Sequence, residues 1–426
     1  MARADLTQGN IKKTIIRLTL PMILGIFGMV AFNFADTAFV AQLGGTQLAA
    51  LSFTFPVVMI IQSISMGLGM GAGSVISRVA KKKDSVKRLA TDSLILAFVV
   101  VVVVVVVGLL TIEPLFYGLG ATDVEMPYIK QYMTVWYFGV PLVVIPMVGN
   151  NIIRALGDTK IPGLVMLVAA GMNIMLDPLF IFGIGFFPQM GVTGAALATV
   201  ISRFTTLCVS LYVLGRRERL LTFAGFSFAK MRSSFARVLH VAIPSALTRA
   251  IVPFGAYIIT GLLAVYGAGV VAGYGAGIRS EFVMLTVVGA LASVMISYSG
   301  QNFGARNIER LRQGFKFAVS VNALYSIGAY AVLFFAAPYV AKLFSSEEII
   351  MQTTVLYLRI AGAGLAFQGS IQIVTSSFNA VGKPIYATII ALLQMFGIYI
   401  PLSFALSSLL GQAGIFVALV ISYILA

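Results

Sequence analysis

Apolar stretches of about span length recur along this chain, and they leave it few folds. Twelve can be read, at roughly 15–42, 50–78, 89–112, 126–153, 161–183, 190–214, 238–265, 271–302, 311–336, 348–378, 384–409 and 411–426. About twenty apolar residues in helix cross the hydrocarbon core of a bilayer. Lipid offers no partner for a backbone N–H or C=O, so only helices and closed barrels span it. A barrel needs short alternating segments, and this sequence has none. The expected fold class is therefore all-α and integral to the membrane. Charged residues are only 10% of the chain, far below the roughly 25% of soluble domains. The valine run 99–107 is β-branched, yet it reads as a plain lipid-facing surface of a helix.

The net charge of +15 does not point to nucleic acid, because of where the basic residues lie. They gather in alternate loops: Lys81, Lys82, Lys83, Lys87 and Arg88; Arg216, Arg217, Arg219, Lys230, Arg232 and Arg237; Arg306, Arg310, Arg312 and Lys316. The opposite loops hold Glu113, Asp123, Glu125, Glu347 and Glu348. This bias places both termini and the central loop in the cytoplasm, with the chain multi-pass in the inner membrane. The basic loops are expected to rest on anionic lipid headgroups. Cys208 is the one cysteine, so no disulfide framework follows. No cleavable signal is visible. The last apolar stretch is short for a span, which leads us to expect a natural carboxyl tail beyond Ala426.

The chain also repeats itself. A shift of 223 residues carries Pro21 onto Pro244, Gly44 onto Gly267, Ala49 onto Ala272 and Arg78 onto Gln301. "IIRALGDTKIPG" matches "SSFNAVGKPIYA" at a shift of 225, and "MGVTGAALATVIS" matches "LGQAGIFVALVIS" at 220. Residues 215–237 are the longest polar interruption and lie between the copies. The expected organisation is an amino lobe, 1–214, a cytoplasmic linker, 215–237, and a carboxyl lobe, 238–426. Each lobe holds six helices, so both copies start from the same side and are related by a pseudo-two-fold axis along the membrane normal. A cavity between the lobes is expected from such a repeat.

The scaffold is duplicated but its acids are not. Asp36 falls on Ile259, and Asp177 falls on Leu402. Ionisable residues inside a membrane are costly and mark ion or proton pathways. Each acid has an amide on its own helical face, Asn33 at i−3 from Asp36 and Asn173 at i−4 from Asp177. Carboxylate and amide oxygens suit a small hard cation, and the same groups can hold a proton. Thr199 and Tyr132 would add hydroxyls. The competing reading is that the acids pair with buried Arg203 for structure alone. Pro21, Pro141, Pro146 and Pro244 interrupt spans; each can fix a static kink, and Pro21 is the best candidate for a bending point because its helix carries Asp36. The "GLGMGAG" run is read as close helix packing. In the carboxyl lobe the intramembrane charges are Arg249, Arg279, Glu281 and Arg359. Arg279 and Glu281 are two apart and do not share a helical face. A structural role is the first reading for this group, and contact with an anionic substrate the second.

Enzyme signatures fail one by one. His240 is the single histidine, so there is no HExxH site, and "AVGKPIYA" lacks the spacing of a phosphate loop. The chain is read as a non-enzyme without cofactors, powered by an ion gradient or by its substrate's own gradient.

The residues "LPMILGIFGMVAFNFADTAFVAQLG", "RALGDTKIP", "MNIMLDPLFIFG", "GAALATVIS" and "QNFGARN" resemble the multidrug and toxic compound extrusion (MATE) family. The likeness covers both lobes and is nearest to the DNA-damage-inducible-protein (DinF-like) branch. A NorM-like branch carries a glutamate early in helix seven, where this chain reads "SALTRAIVPFG". The resemblance implies twelve helices in two bundles. It also implies export of amphipathic, often cationic compounds in exchange for H⁺ or Na⁺. Carried over by residue, Asp36, Asn173, Asp177 and Thr199 match the ion site, and they would also ligate sodium if that is the ion. Tyr132 and Asn150 match cavity residues, Asn33 and Met166 are placed with them, and Pro21 matches the bending proline. A flippase for lipid-linked sugars is the alternative on the same scaffold. The expected partners are small amphipathic molecules and membrane lipids, with no nucleic acid, and the chain is expected to be a monomer.

Overall fold

The computed structural model describes residues 5–41, 45–185, 187–222 and 227–426, leaving the side chains of Asn33, Thr37 and residues 40–52 undescribed. Among the described residues every regular element is helical. The helices are α1 (Ile11–Ala41), α2 (Gly45–Arg78), α3 (Lys83–Gly118), α4 (Met126–Ala155), α5 (Lys160–Phe182) and α6 (Val192–Tyr212). They continue with α7 (Phe228–Ala264), α8 (Ala268–Gly304), α9 (Ile308–Phe344), α10 (Glu348–Ala380), α11 (Pro384–Leu410) and α12 (Gln412–Leu425). Eleven are long and apolar enough to cross a membrane, and α12 is shorter. Two spans of the second half are irregular. A 3₁₀ turn at Gly362–Gly364 breaks α10, and a π turn at Leu393–Tyr399 lies inside α11.

The chain divides into two compact units. One holds Asp5 and Leu20–Ala246; the other holds Leu6–Thr19 and Leu247–Ala426. In the first, Trp136, Tyr137, Met133 and Ile129 of α4 pack with Leu89 of α3 and Ile76 of α2 in one apolar core. In the second, Tyr274 stacks on Phe416 at 6.1 Å between ring centroids, and Tyr357 meets both edge-on at 5.5 and 5.1 Å.

Particular backbone positions carry the repeat into three dimensions. Gly157 and Gly382, which the sequence aligns after α4 and α10, both have positive φ, at 90° and 80°. Gly191 and Gly411, aligned before α6 and α12, also agree, at 55° and 61°. Such backbone is open to glycine at little cost, so both copies keep it at these turns. The "GLGMGAG" run does pack closely, on two faces of α2. A Cβ at Gly67 or Gly71 would lie 2.5 Å from the carbonyl oxygen of Ala242 or Val238 on α7. Gly69 and Gly73 face Asn151 of α4. Small residues at this spacing let backbones touch.

The "QNFGARN" segment clasps the chain's start. The Leu6 N–H donates to Gln301 Oε1 at 3.2 Å, and Asn302 Nδ2 donates to the Leu6 carbonyl at 3.2 Å. Arg310 donates to the carbonyls of Leu6, Gln8 and Gly9 at 3.1, 2.6 and 2.7 Å. Residues 6–19 therefore belong to the second unit. Along α3 the valine run behaves as a lipid-facing surface, with Val99, Val102, Val103, Val106 and Val107 exposed and Val101 buried.

Candidate functional site

Three helices of the first unit bring the predicted polar residues together. Asn173 and Asp177 lie one turn apart on α5, and both are buried. Thr199 lies on α6. With its amide oriented to suit both neighbours, Asn173 donates to Asp177 Oδ2 at 2.9 Å and accepts from the Thr199 hydroxyl at 3.2 Å. That orientation is an assignment from the hydrogen bonds on either side. The result is a continuous chain, Asp177–Asn173–Thr199, linking α5 to α6. Asp177 Oδ1 has no protein partner. Asp36, on α1, is partly buried, and its charge acts on Asp177. The charges of both acids reach Tyr132 of α4. Two carboxylates, an amide and two hydroxyls thus converge from α1, α4, α5 and α6.

A cavity opens beside this chain. Met29 and Phe32 of α1, Met166, Ala169, Ala170 and Asn173 of α5, and Thr199, Ser202 and Arg203 of α6 line it. Met166 is therefore at the cavity, as expected. Arg203 does not pair with either acid among the described residues; its guanidinium sits 5.8 Å from the Phe32 ring centroid. Cation–π contact of this kind is favourable when desolvated. Ser202 and Phe32 were not read from the sequence. Ser202 follows Thr199 at i+3, and that spacing was the available signal.

Other expectations fall elsewhere. Asn150 is buried on α4 with its side-chain oxygen unpartnered. It lies 18 residues beyond Tyr132, on the order of 27 Å along the helix, and so stands apart from the hydrogen-bonded chain. The Asn33 side chain lies outside the described residues. Pro21 is inside α1. Its carbonyl oxygen lies directly against Gly163 of α5, where a Cβ would collide with it, and Gly25 packs on the same glycine.

The matched positions of the second unit are apolar. Ile259, the counterpart of Asp36, is fully buried in that unit's core, and Leu402, the counterpart of Asp177, packs against it. The charges of that unit behave separately. Arg359 lies over the Phe334 ring at 5.1 Å. Glu281 takes a hydrogen bond from the Tyr357 hydroxyl, and Arg279 is exposed.

Comparison with known proteins agrees with this arrangement. The MatE family model matches residues 21–179 and 244–405, one stretch in each copy. A protein of Shewanella oneidensis named FAD transporter is 36% identical over 425 residues, covering 99% of this chain and 94% of that protein. Multidrug export protein MepA of Staphylococcus haemolyticus is 26% identical over 420 residues, covering 97% of this chain and 91% of its own. A solved outward-facing MATE family multidrug resistance transporter superposes with a TM-score of 0.94 at 28% identity, covering 100% of this chain and 95% of that one. The chain belongs to the MatE family of multi-pass membrane transporters.

Proposed function

We propose that this protein is a secondary active exporter of amphipathic compounds, driven by H⁺ or Na⁺ bound at Asp36, Asn173, Asp177 and Thr199. The observation that carries this reading is the buried chain Asp177–Asn173–Thr199 with the Asp36 charge acting on it. A buried carboxylate with no cation beside it is costly. Arrival of a proton or a sodium ion from outside removes that cost and changes what the cavity can hold. The bend in α1 would then occur at Pro21, whose helix carries Asp36 and whose carbonyl rests on Gly163. Both termini are cytoplasmic in this reading, so the ion enters from the opposite side. The test is efflux from proteoliposomes under separately imposed proton and sodium gradients. Transport that ignores both gradients overturns the proposal.

The cavity favours a second reading of the substrate. Met29, Phe32 and Met166 suit apolar cations of the kind the name of the MepA relative suggests. Arg203 on the same wall makes no ion pair among the described residues and suits an anionic planar molecule instead. The FAD transporter relative is also the more similar one, at 36% identity. Flavin nucleotide export is therefore to be tested beside drug export. Arg203→Ala should weaken flavin adenine dinucleotide efflux and spare efflux of a lipophilic cation. The reverse outcome assigns the cavity to cations.

A further inference from the structure

The second unit holds a buried acid that the coupling site does not use. Glu281 lies on α8 and is 6% exposed. Its Oε2 accepts from the Tyr357 hydroxyl of α10. Its Oε1 is buried with no hydrogen-bond partner. The Gln368 side chain of α10 lies against the carboxylate, and its own oxygen is also buried without a partner. Two buried acceptors side by side lack one donor. One proton on Glu281 Oε1 supplies it, once the Gln368 amide turns its oxygen toward the acid; amide orientation is free to follow the hydrogen bonds.

The surroundings contain no cation to do this instead. The titratable groups facing Glu281 are tyrosines: Tyr274 on its own helix, Tyr357 on α10, Tyr399 on α11 and Tyr423 on α12. From α9, Tyr325 donates to the Met284 carbonyl at 2.8 Å, one turn along α8. Among the described residues, neither Arg249, exposed Arg279 nor Arg359 pairs with Glu281. Both irregular turns of this unit meet the same cluster. Tyr399 ends the π turn of α11, and Gly364, in the 3₁₀ turn of α10, packs on the Tyr423 ring. Helix irregularities of this kind collect at functional sites.

We propose that Glu281 is a proton-binding site of the second unit, the proton held on Oε1 against the Gln368 amide and exchanged with water when the turns at Gly362–Gly364 and Leu393–Tyr399 rearrange. The balance is simple: a proton from water joins Oε1, and the same O–H bond breaks on release. The site is separate from Asp36 and Asp177, so it stands or falls independently of the coupling reading.

The test is infrared spectroscopy of the purified full-length transporter through a series of pH steps. The protonated-carboxyl C=O band should gain and lose intensity with pH. Glu281→Gln should remove one titrating component. Asp36→Asn with Asp177→Asn should leave that component in place. Tyr357→Phe, which keeps the carboxyl and removes its donor, should move the midpoint of that component alone and covers the case in which Glu281→Gln does not fold. A Glu281 signal that stays protonated or stays ionised through every step overturns the proposal. So does a titrating band unchanged in both Glu281→Gln and Tyr357→Phe.

Discussion

Replacing Asn173 by alanine separates the two candidate coupling ions by the sign of its effect. Asn173 is 2% exposed, and Asp177 beside it is fully buried. Its amide supplies Asp177 Oδ2 with a donor at 2.9 Å, and Oδ1 has none. In Asn173→Ala both carboxylate oxygens are left without a side-chain donor. A hydrogen bond to a charged group contributes about 1.5–3 kcal/mol, and every 1.4 kcal/mol is about tenfold in affinity, so ion binding should move by about 10- to 150-fold. If the ion is a proton, the anion becomes dearer and the proton is held more tightly. Half-maximal efflux then needs a lower proton concentration. If the ion is sodium, the site loses an amide oxygen that could turn toward it, and half-maximal efflux needs more sodium. The assay is efflux of a fluorescent substrate from proteoliposomes, titrated in protons without sodium and in sodium at fixed pH. Thr199→Val removes only the neutral far end of the chain and should act in the same sense but more weakly. A shift under about twofold in both titrations refutes the reasoning.

Further outcomes follow from the same geometry. Asp36→Asn should abolish gradient-driven efflux while the purified protein stays folded and inserted, checked by circular dichroism and size exclusion; near-normal transport refutes its role. Adding Asp177→Asn to Asp36→Asn should cost little more, since groups acting as a unit are not additive; additive losses in the same assay would mean two separate sites. Gly163→Ala drives a Cβ into the Pro21 carbonyl and should destabilise the protein by about 1–3 kcal/mol, read as a lower Tm and slower efflux. Gly171→Ala on the same helix meets open space and is the control, so equal effects from the two would refute the wedge. Moving the acid across the repeat, Asp36→Ile with Ile259→Asp, should not restore coupling, because Ile259 sits in an apolar core; restored gradient-driven efflux would show that the residues around Asp36 are dispensable.

Span number and repeat were legible because lipid enforces them. A helix must be long and apolar to cross, and turn glycines such as Gly157 and Gly382 must repeat where backbone geometry repeats. Asn173 was legible as a partner of Asp177 because i−4 on a helix sets it on the same face. Its second bond, to Thr199, joins α5 to α6 and could be proposed only through the family likeness. Arg203 illustrates the limit more sharply. Sequence places it in the right lobe, but whether it pairs with an acid or lies over Phe32 depends on the mutual rotation of α1 and α6. The breaks in α10 and α11 were also hidden. "GAG" is an ordinary run in a membrane helix, and nothing in "LQMFGIY" announces a π turn. Asn150 was misleading for the opposite reason: it shares a helix with Tyr132, yet 18 residues of rise separate them.

The placement of acids suggests how the duplication diverged. Asp36 and Asp177 of the first unit face Ile259 and Leu402 across the repeat. The exchange also runs the other way. The shift that carries Arg78 onto Gln301 carries Val58 onto Glu281, and Val58 packs against the first unit's apolar core. Each unit thus has acids where its copy has only hydrocarbon. A buried carboxylate can persist only where neighbours satisfy or neutralise it. The two units meet that need differently: the first with an amide and a hydroxyl from adjacent helices, the second with a tyrosine hydroxyl beside broken helices. If one scaffold is to respond to an ion in two places, a duplicated fold with unshared acids lets each site be tuned without altering the other. The turns that both copies keep, at Gly157 and Gly382 and at Gly191 and Gly411, are the part of the design that both units still need in common.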